Sequence, residues 1–183
     1  MQSPDPTLAA PRWPTLPQLH GDLMLDVFTH HSITQGILND QTPHGNSERL
    51  AQLGQSVLDT IVTCVLFDER PMLSGEELKM RHAHILSDES IIFWVNSYDS
   101  ELKRRVRVAS RDILDDPKEA RFLFNSYVGA VSVQDGLPAA ASWISKLLKP
   151  DDPPPALMDG SGSRPTSTSP PLLRPPIIPM HRK

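Results

Sequence analysis

The sequence holds a single cysteine in 183 residues, nine glycines, and aromatic side chains at only 5% of positions. A lone Cys64 excludes a disulfide framework and a multi-cysteine zinc site. No run approaches the roughly 18 consecutive apolar residues that cross a bilayer, so no membrane partner is expected. Neither sign of charge dominates: 18 Lys and Arg stand against 22 Asp and Glu, for a net charge of -4. That balance excludes a wholly basic nucleic-acid coat and leaves room for a local basic patch. The first residues lack a basic stretch followed by an apolar one, so a secretory signal is not expected. Only Arg12 is basic before His20, and the surrounding prolines oppose an amphipathic helix, which disfavours a mitochondrial presequence. The expected location is intracellular, cytoplasmic or nuclear rather than mitochondrial.

Proline is the abundant residue, and its placement divides the chain. Of 19 prolines, five fall within 1–17 and ten within 150–183, leaving Pro43, Pro71, Pro117 and Pro138 between. We therefore expect a flexible N-terminal segment over 1–19, one domain over 20–149, and a disordered Pro/Ser-rich tail over 150–183. About 130 residues suffice for one ordinary core. The tail ends in Arg174-Pro175-Pro176-Ile177-Ile178-Pro179. Its PxxP spacing is one that a polyproline-binding partner reads, although unengaged Pro-rich tails produce the same spacing by chance.

The middle reads as helices. Leu50, Leu53, Val57, Leu58, Ile61, Val62 and Val65 recur at three- and four-residue steps, giving an apolar stripe over four turns. Asn46 or Ser47 is placed to cap that helix, with Glu48 near its positive end. Ser74 before Glu76 and Glu77 starts a second helix, and Ser87-Asp88-Glu89 a third carrying Ile91, Trp94 and Val95. Pro117 suits the first turn of a fourth, which presents Ala120, Leu123, Phe124, Tyr127, Val128 and Val131. The last begins near Pro138, passes through Trp143, Ile144 and Leu147, and stops at Pro150. No strand alternation or hairpin turn is evident. The expectation is an all-α domain.

Four short blocks in order carry a resemblance. Glu48-Arg49-Leu50-Ala51-Gln52-Leu53-Gly54-Gln55-Ser56-Val57-Leu58 resembles the ribonuclease III signature E-R-L-E-F-L-G-D-S-V-L. Phe28-Thr29-His30-His31-Ser32 upstream resembles that family's F-T-H-x-S block, and Ala83-His84-Ile85-Leu86-Ser87 its A-x-L-V-S block. Val128-Gly129-Ala130 followed by Asp135-Gly136-Leu137 resembles the G-A…D-G-L segment of its last long helix. The resemblance implies a ribonuclease III-like helical domain over roughly 20–149. It further implies Mg²⁺-dependent hydrolysis of double-stranded RNA by side-by-side pairs of such domains.

The family pattern supplies four metal-binding carboxylates, two on the signature helix and two on the facing one. Carried onto this chain, those positions are Ala51, Gln55, Phe122 and Asn125, and none is an acid. Neutral amides are weaker Mg²⁺ ligands than carboxylates, and Phe122 offers no oxygen. Asp59 lies one turn beyond Gln55, and Glu119 one turn before Phe122, where it would face Gln55 or Asp59. Glu48 is about 16 Å from Asp59 along a helix, too far to share an ion. The sequence thus points to a degenerate, catalytically inactive member with no cofactor, Mg²⁺ entering only if the family activity were retained. It would act in RNA processing as a double-stranded RNA-binding or dimerisation scaffold. The alternatives are a partner subunit of an active ribonuclease III or ribonucleoprotein, and an active enzyme with relocated acids.

Lys103, Arg104, Arg105, Arg107 and Arg111 form the dense basic cluster, suited to phosphates of a duplex or to a solvated face. By the resemblance, Leu50, Leu53 and Val57 mark the dimer interface of a homodimer or heterodimer, shared with the protomer's own core. There is no room after residue 149 for the family's separate RNA-binding domain. His30-His31 and His82-x-His84 lack an evident third metal ligand and read as structural or surface residues. Cys64, among Ile61, Val62, Val65 and Leu66, reads as a buried small hydrophobe. Ser56 lacks a base to make it a nucleophile.

Overall fold

In the computed structural model, residues 13–34 and 42–149 are described, and their architecture is all-α. Seven helices follow in chain order: α1 Gly21–Val27, α2 His31–Thr34, α3 Ser47–Phe67, α4 Gly75–Ile85, α5 Asp88–Ser97, α6 Pro117–Gln134 and α7 Leu137–Leu148. Two short 3₁₀ turns, Lys103–Arg105 and Arg111–Asp115, punctuate the segment between α5 and α6. The tail with its PxxP spacing, and residues 1–12, lie outside the described residues.

Local chemistry explains where the long helices begin. The Asn46 side chain accepts from the Arg49 amide at 3.1 Å, satisfying a donor that α3 leaves orphaned. Asp116 does the same for Lys118 at 2.8 Å, with Pro117 preorganised at the first position of α6. Ser87 caps α5. At α4 the Ser74 hydroxyl accepts from the Glu77 amide while Glu77 returns to the Ser74 amide at 2.8 Å, a closed capping box. Hydrogen bonds from the Ser74 side chain and then its backbone hold the exposed Glu77 carboxyl below its ordinary value. Ser74→Ala is expected to cost about 1 kcal/mol at pH 7. Glu77's own share is present above the ordinary carboxylate range and is lost as pH falls through its lowered value. Thermal unfolding of both chains at pH 7 and pH 3.5 should therefore show the gap between them narrowing at the acid end.

Two glycines set the centre of the fold. A Cβ on Gly54 of α3 would stand 2.6 Å from the Gly129 amide nitrogen of α6, and closer still to the Asn125 carbonyl oxygen. A Cβ on Gly129 would in turn press into the Leu50 carbonyl. Only glycine at both positions lets these backbones touch. Ser126 donates to the Ser47 carbonyl at 3.1 Å and ties the start of α3 to the same crossing. Around it Leu50, Leu58, Ile61, Val62 and Leu66 of α3 meet Leu123, Phe124, Tyr127, Val128 and Val131 of α6. Trp94 of α5 and Trp143 of α7 close on Phe124 with ring centroids 5.4 and 5.9 Å away. By length and composition α3 is the one described helix able to cross a membrane, yet it bears Glu48, Arg49 and Asp59 and its buried face is taken by α6.

The structure corrects three expectations. Residues 13–19, assigned to the flexible segment, pack on the domain: Leu16 and Leu19 are buried. There the Tyr98 hydroxyl donates to the Pro14 carbonyl at 2.7 Å, and the Tyr127 hydroxyl to that of Pro17. Burial pushes both phenols above their usual range, so they remain protonated donors. Cys64, expected inside, is exposed. It lines an open apolar groove between α3 and α7 with Val65, Leu137, Pro138 and Ala141. The stripe itself turns at Leu53, which is 41% exposed, because Gly54 and not Leu53 occupies the crossing.

Candidate functional site

The four positions that the family pattern reserves for acids lie two on each of the helices that cross at Gly54 and Gly129. Ala51 and Gln55 stand one turn apart on α3, the first half-buried and the second exposed. Phe122 and Asn125 stand three residues apart on α6. The Phe122 ring is turned edge-on to His31, with centroids 5.1 Å apart at 80°, and to His30 at 6.4 Å. Asn125 is buried, and its Oδ1 has no hydrogen-bond partner among the described residues.

Those residues do not fit a hard divalent cation. Mg²⁺ takes six oxygen ligands, with one or two carboxylates supplying its charge compensation. The cluster offers two neutral amide oxygens, a methyl group and an aromatic ring. Asp59, one turn on, faces α4: its Oδ1 lies 3.2 Å from His82 Nε2, an ion-pair distance without hydrogen-bond geometry. Glu48 is exposed at the start of α3.

Glu119 faces neither Gln55 nor Asp59, the directions expected from the sequence. As the third residue of α6 it meets the segment 28–34 and engages both histidines there. The His30 ring, 4% exposed, brings Nε2 to 2.9 Å from Glu119 Oε2, and His31 Nε2 lies 3.7 Å from Oε1. On the other edge of the His30 ring, Nδ1 receives the Ser32 amide at 3.1 Å and sits 2.8 Å from the Ser32 hydroxyl. An amide can only donate, so Nδ1 accepts and the ring proton resides on Nε2, donated to Glu119. The third partner that the sequence did not reveal for His30-His31 is thus a carboxylate 89 residues downstream of His30. A parallel bridge between Thr29 and Arg107 holds the segment in place, with His30 N–H donating to the Arg107 carbonyl at 3.0 Å.

The basic cluster lies along the stretch joining α5 to α6. Lys103 pairs with Asp115 and Arg104 with Asp99, each at 2.6 Å. Arg105 lies over the Phe28 ring at 4.4 Å. Arg111 donates to the Lys103 and Arg104 carbonyls at 3.3 Å, and so braces the turn that displays its neighbours. Arg107 is exposed. Of the three residues expected at a pairing surface, Leu50 belongs to the protomer core, Val57 is nearly buried beside the apolar groove, and Leu53 reaches solvent.

No family model matches the chain. Among curated proteins it is 26% identical over 130 residues to ribonuclease 3 of Bacillus cytotoxicus, and equally so to that of Bacillus cereus. The match takes in 70% of this chain and 52% of the relative, so the chain spans about half the length of these proteins. Among solved structures, Dicer from Pichia stipitis aligns with a TM-score of 0.57 and 26% identity, over 75% of this chain and 58% of that one. The nuclease domain of ribonuclease III from Campylobacter jejuni aligns with a TM-score of 0.56 and 20% identity, over 70% and 83%.

Proposed function

We propose that this ribonuclease III-like domain works without cutting: it pairs with a second domain of its kind and holds duplex RNA as a binding or scaffold module in RNA processing. The observation that carries the reading is the chemistry of positions 51, 55, 122 and 125, where no carboxylate stands. Phosphodiester hydrolysis by this family's route needs oxygen ligands that hold a cation, activate water and offset phosphate charge. Four formal negative charges have become none, and a phenyl ring occupies one ligand position.

Binding needs less. A duplex is recognised through its shape and its phosphates, which exposed guanidinium groups neutralise without base contacts. Arg104 and Arg107 supply such groups, while the internal pairings of Lys103 and Arg104 keep the affinity modest. Pairing is supported by the apolar groove along α3 and α7 and by the exposed Leu53. The same surface favours the second reading, a partner subunit of an active ribonuclease III or of a ribonucleoprotein. Sedimentation of the chain alone separates them: a homodimer supports the first, and a monomer that pairs only with a different domain supports the second. An intracellular, cytoplasmic or nuclear location goes with either, and fractionation checks it.

The binding claim is tested with labelled duplex RNA titrated at several salt concentrations. Affinity should fall steeply with salt, and Arg104→Ala with Arg107→Ala should flatten the log–log slope by about 2. An unchanged slope would remove RNA from this surface.

A further inference from the structure

We infer that His30, His31 and Glu119 form a binding site for a borderline divalent ion of the zinc class, built from none of the four positions without acids although Phe122 packs against both imidazoles. The ligand atoms of these three residues all lie within 4.8 Å of one another. Two imidazoles and one carboxylate are a donor set that Zn²⁺ takes readily and that Mg²⁺, which prefers oxygen and water, does not. At Zn–N and Zn–O lengths of about 2.0–2.2 Å, neighbouring ligands on a tetrahedral ion stand about 3.4 Å apart. His30 Nε2 now lies 2.9 Å from Glu119 Oε2 and His31 Nε2 3.7 Å from Oε1, so each imidazole already has a carboxylate oxygen near that distance, one oxygen apiece. Binding draws the three ligand atoms, now within 4.8 Å of one another, in to that spacing.

The surroundings suit the task. The three groups come from two elements, the start of α2 and the first turn of α6, and the Thr29–Arg107 bridge steadies the nearer one. His30 is buried while His31 is 36% and Glu119 23% exposed, so an ion has a path from solvent and a rigid inner ligand to meet. The Ser32 hydroxyl, 2.8 Å from His30 Nδ1, is the outer partner that orients a metal-bound imidazole. On binding, the ion replaces the Nε2–H···Oε2 hydrogen bond. The ring's one proton then moves to Nδ1, where Ser32 Oγ accepts it and the Ser32 N–H, which Nδ1 accepts in the ion-free chain, turns away, so His30 keeps its neutral charge. With three protein ligands a fourth coordination position stays open to water. The bound ion ties the segment 28–34 to α6.

The test uses the full chain, stripped with a chelator and titrated calorimetrically with Zn²⁺ alone and, separately, with Mg²⁺ alone. One Zn²⁺ per chain should bind at this site, and Mg²⁺ should give no comparable heat. His31→Ala and Glu119→Gln should each weaken that event at least about tenfold, and Ser32→Ala about tenfold by leaving the His30 ring without its orienting hydroxyl. His82→Ala, at the separate pair with Asp59, should leave it unchanged. Glu119→Gln preserves side-chain shape and hydrogen bonding to His30, so it remains informative should His31→Ala fail to fold. Absence of Zn²⁺ binding, or binding indifferent to Glu119→Gln, would overturn the assignment.

Discussion

Gly129→Val is expected to leave the chain without a cooperative unfolding transition. The added carbon at position 129 meets backbone, not side chain: it would stand 2.9 Å from the Leu50 carbonyl carbon and 3.1 Å from the Gly54 nitrogen. No rotamer change relieves such a contact, so α3 and α6 must separate. Overpacking that side chains can absorb typically costs 1–3 kcal/mol, and a backbone clash at a helix crossing exceeds it. Against a total stability of about 5–15 kcal/mol, separation also strips contacts from Leu50, Phe124 and Val128. We expect a loss of at least about 4 kcal/mol. Circular dichroism during urea titration reads it: a sigmoidal curve in the parent and a gradual slope in the variant. A variant that unfolds cooperatively near the parent midpoint would mean that the crossing is looser than described. Gly54→Val should behave alike, and the double variant should add little, because both open the same contact.

Leu53→Asp is expected to dissociate the proposed pair while sparing the fold. Leu53 is exposed in the protomer, so its replacement removes little from the core. Across a two-fold interface each substitution occurs twice, and the two new carboxylates are brought toward one another out of water. A penalty of about 3 kcal/mol corresponds to a dissociation constant raised about a hundredfold. Val57→Asp is the poorer test, since Val57 is nearly buried and a charge there unfolds the protomer as well. Sedimentation should show the Leu53 variant shifted to monomer at concentrations where the parent is paired, with helical content and cooperative unfolding retained. Equal sedimentation of the two would place any pairing surface elsewhere.

The helical architecture was legible because it rests on local rules. Caps at Asn46, Ser74 and Ser87, Pro117 in a first turn and apolar periodicity mark the beginnings and inner faces of α3 to α6 without reference to the rest of the chain. α1 and α2 escaped notice because they are seven and four residues long, and α1 has no side-chain cap at His20. Leu16 and Leu19 were hidden among prolines; their burial depends on tyrosines more than 80 residues away, which local pattern cannot reveal. Cys64 was misjudged for a related reason. Ile61, Val62 and Leu66 are buried while Cys64 stands at the edge of the groove, and the crossing at Gly54 sets which side is inside. That positions 51, 55, 122 and 125 carry no acid is plain in the sequence itself. The approach of Glu119 to the two histidines is not, since the helix phase of α6 says which way Glu119 points but not which loop stands opposite.

The central claim is that a domain without those four acids holds duplex RNA and leaves it whole. Single-turnover incubation of end-labelled duplex RNA with excess protein in Mg²⁺, resolved on a denaturing gel, tests it most directly. The expected result is full-length RNA decaying no faster than in the protein-free control. Mg²⁺-dependent cleavage that disappears on replacing Glu48, Asp59 or Glu119 would contradict the account.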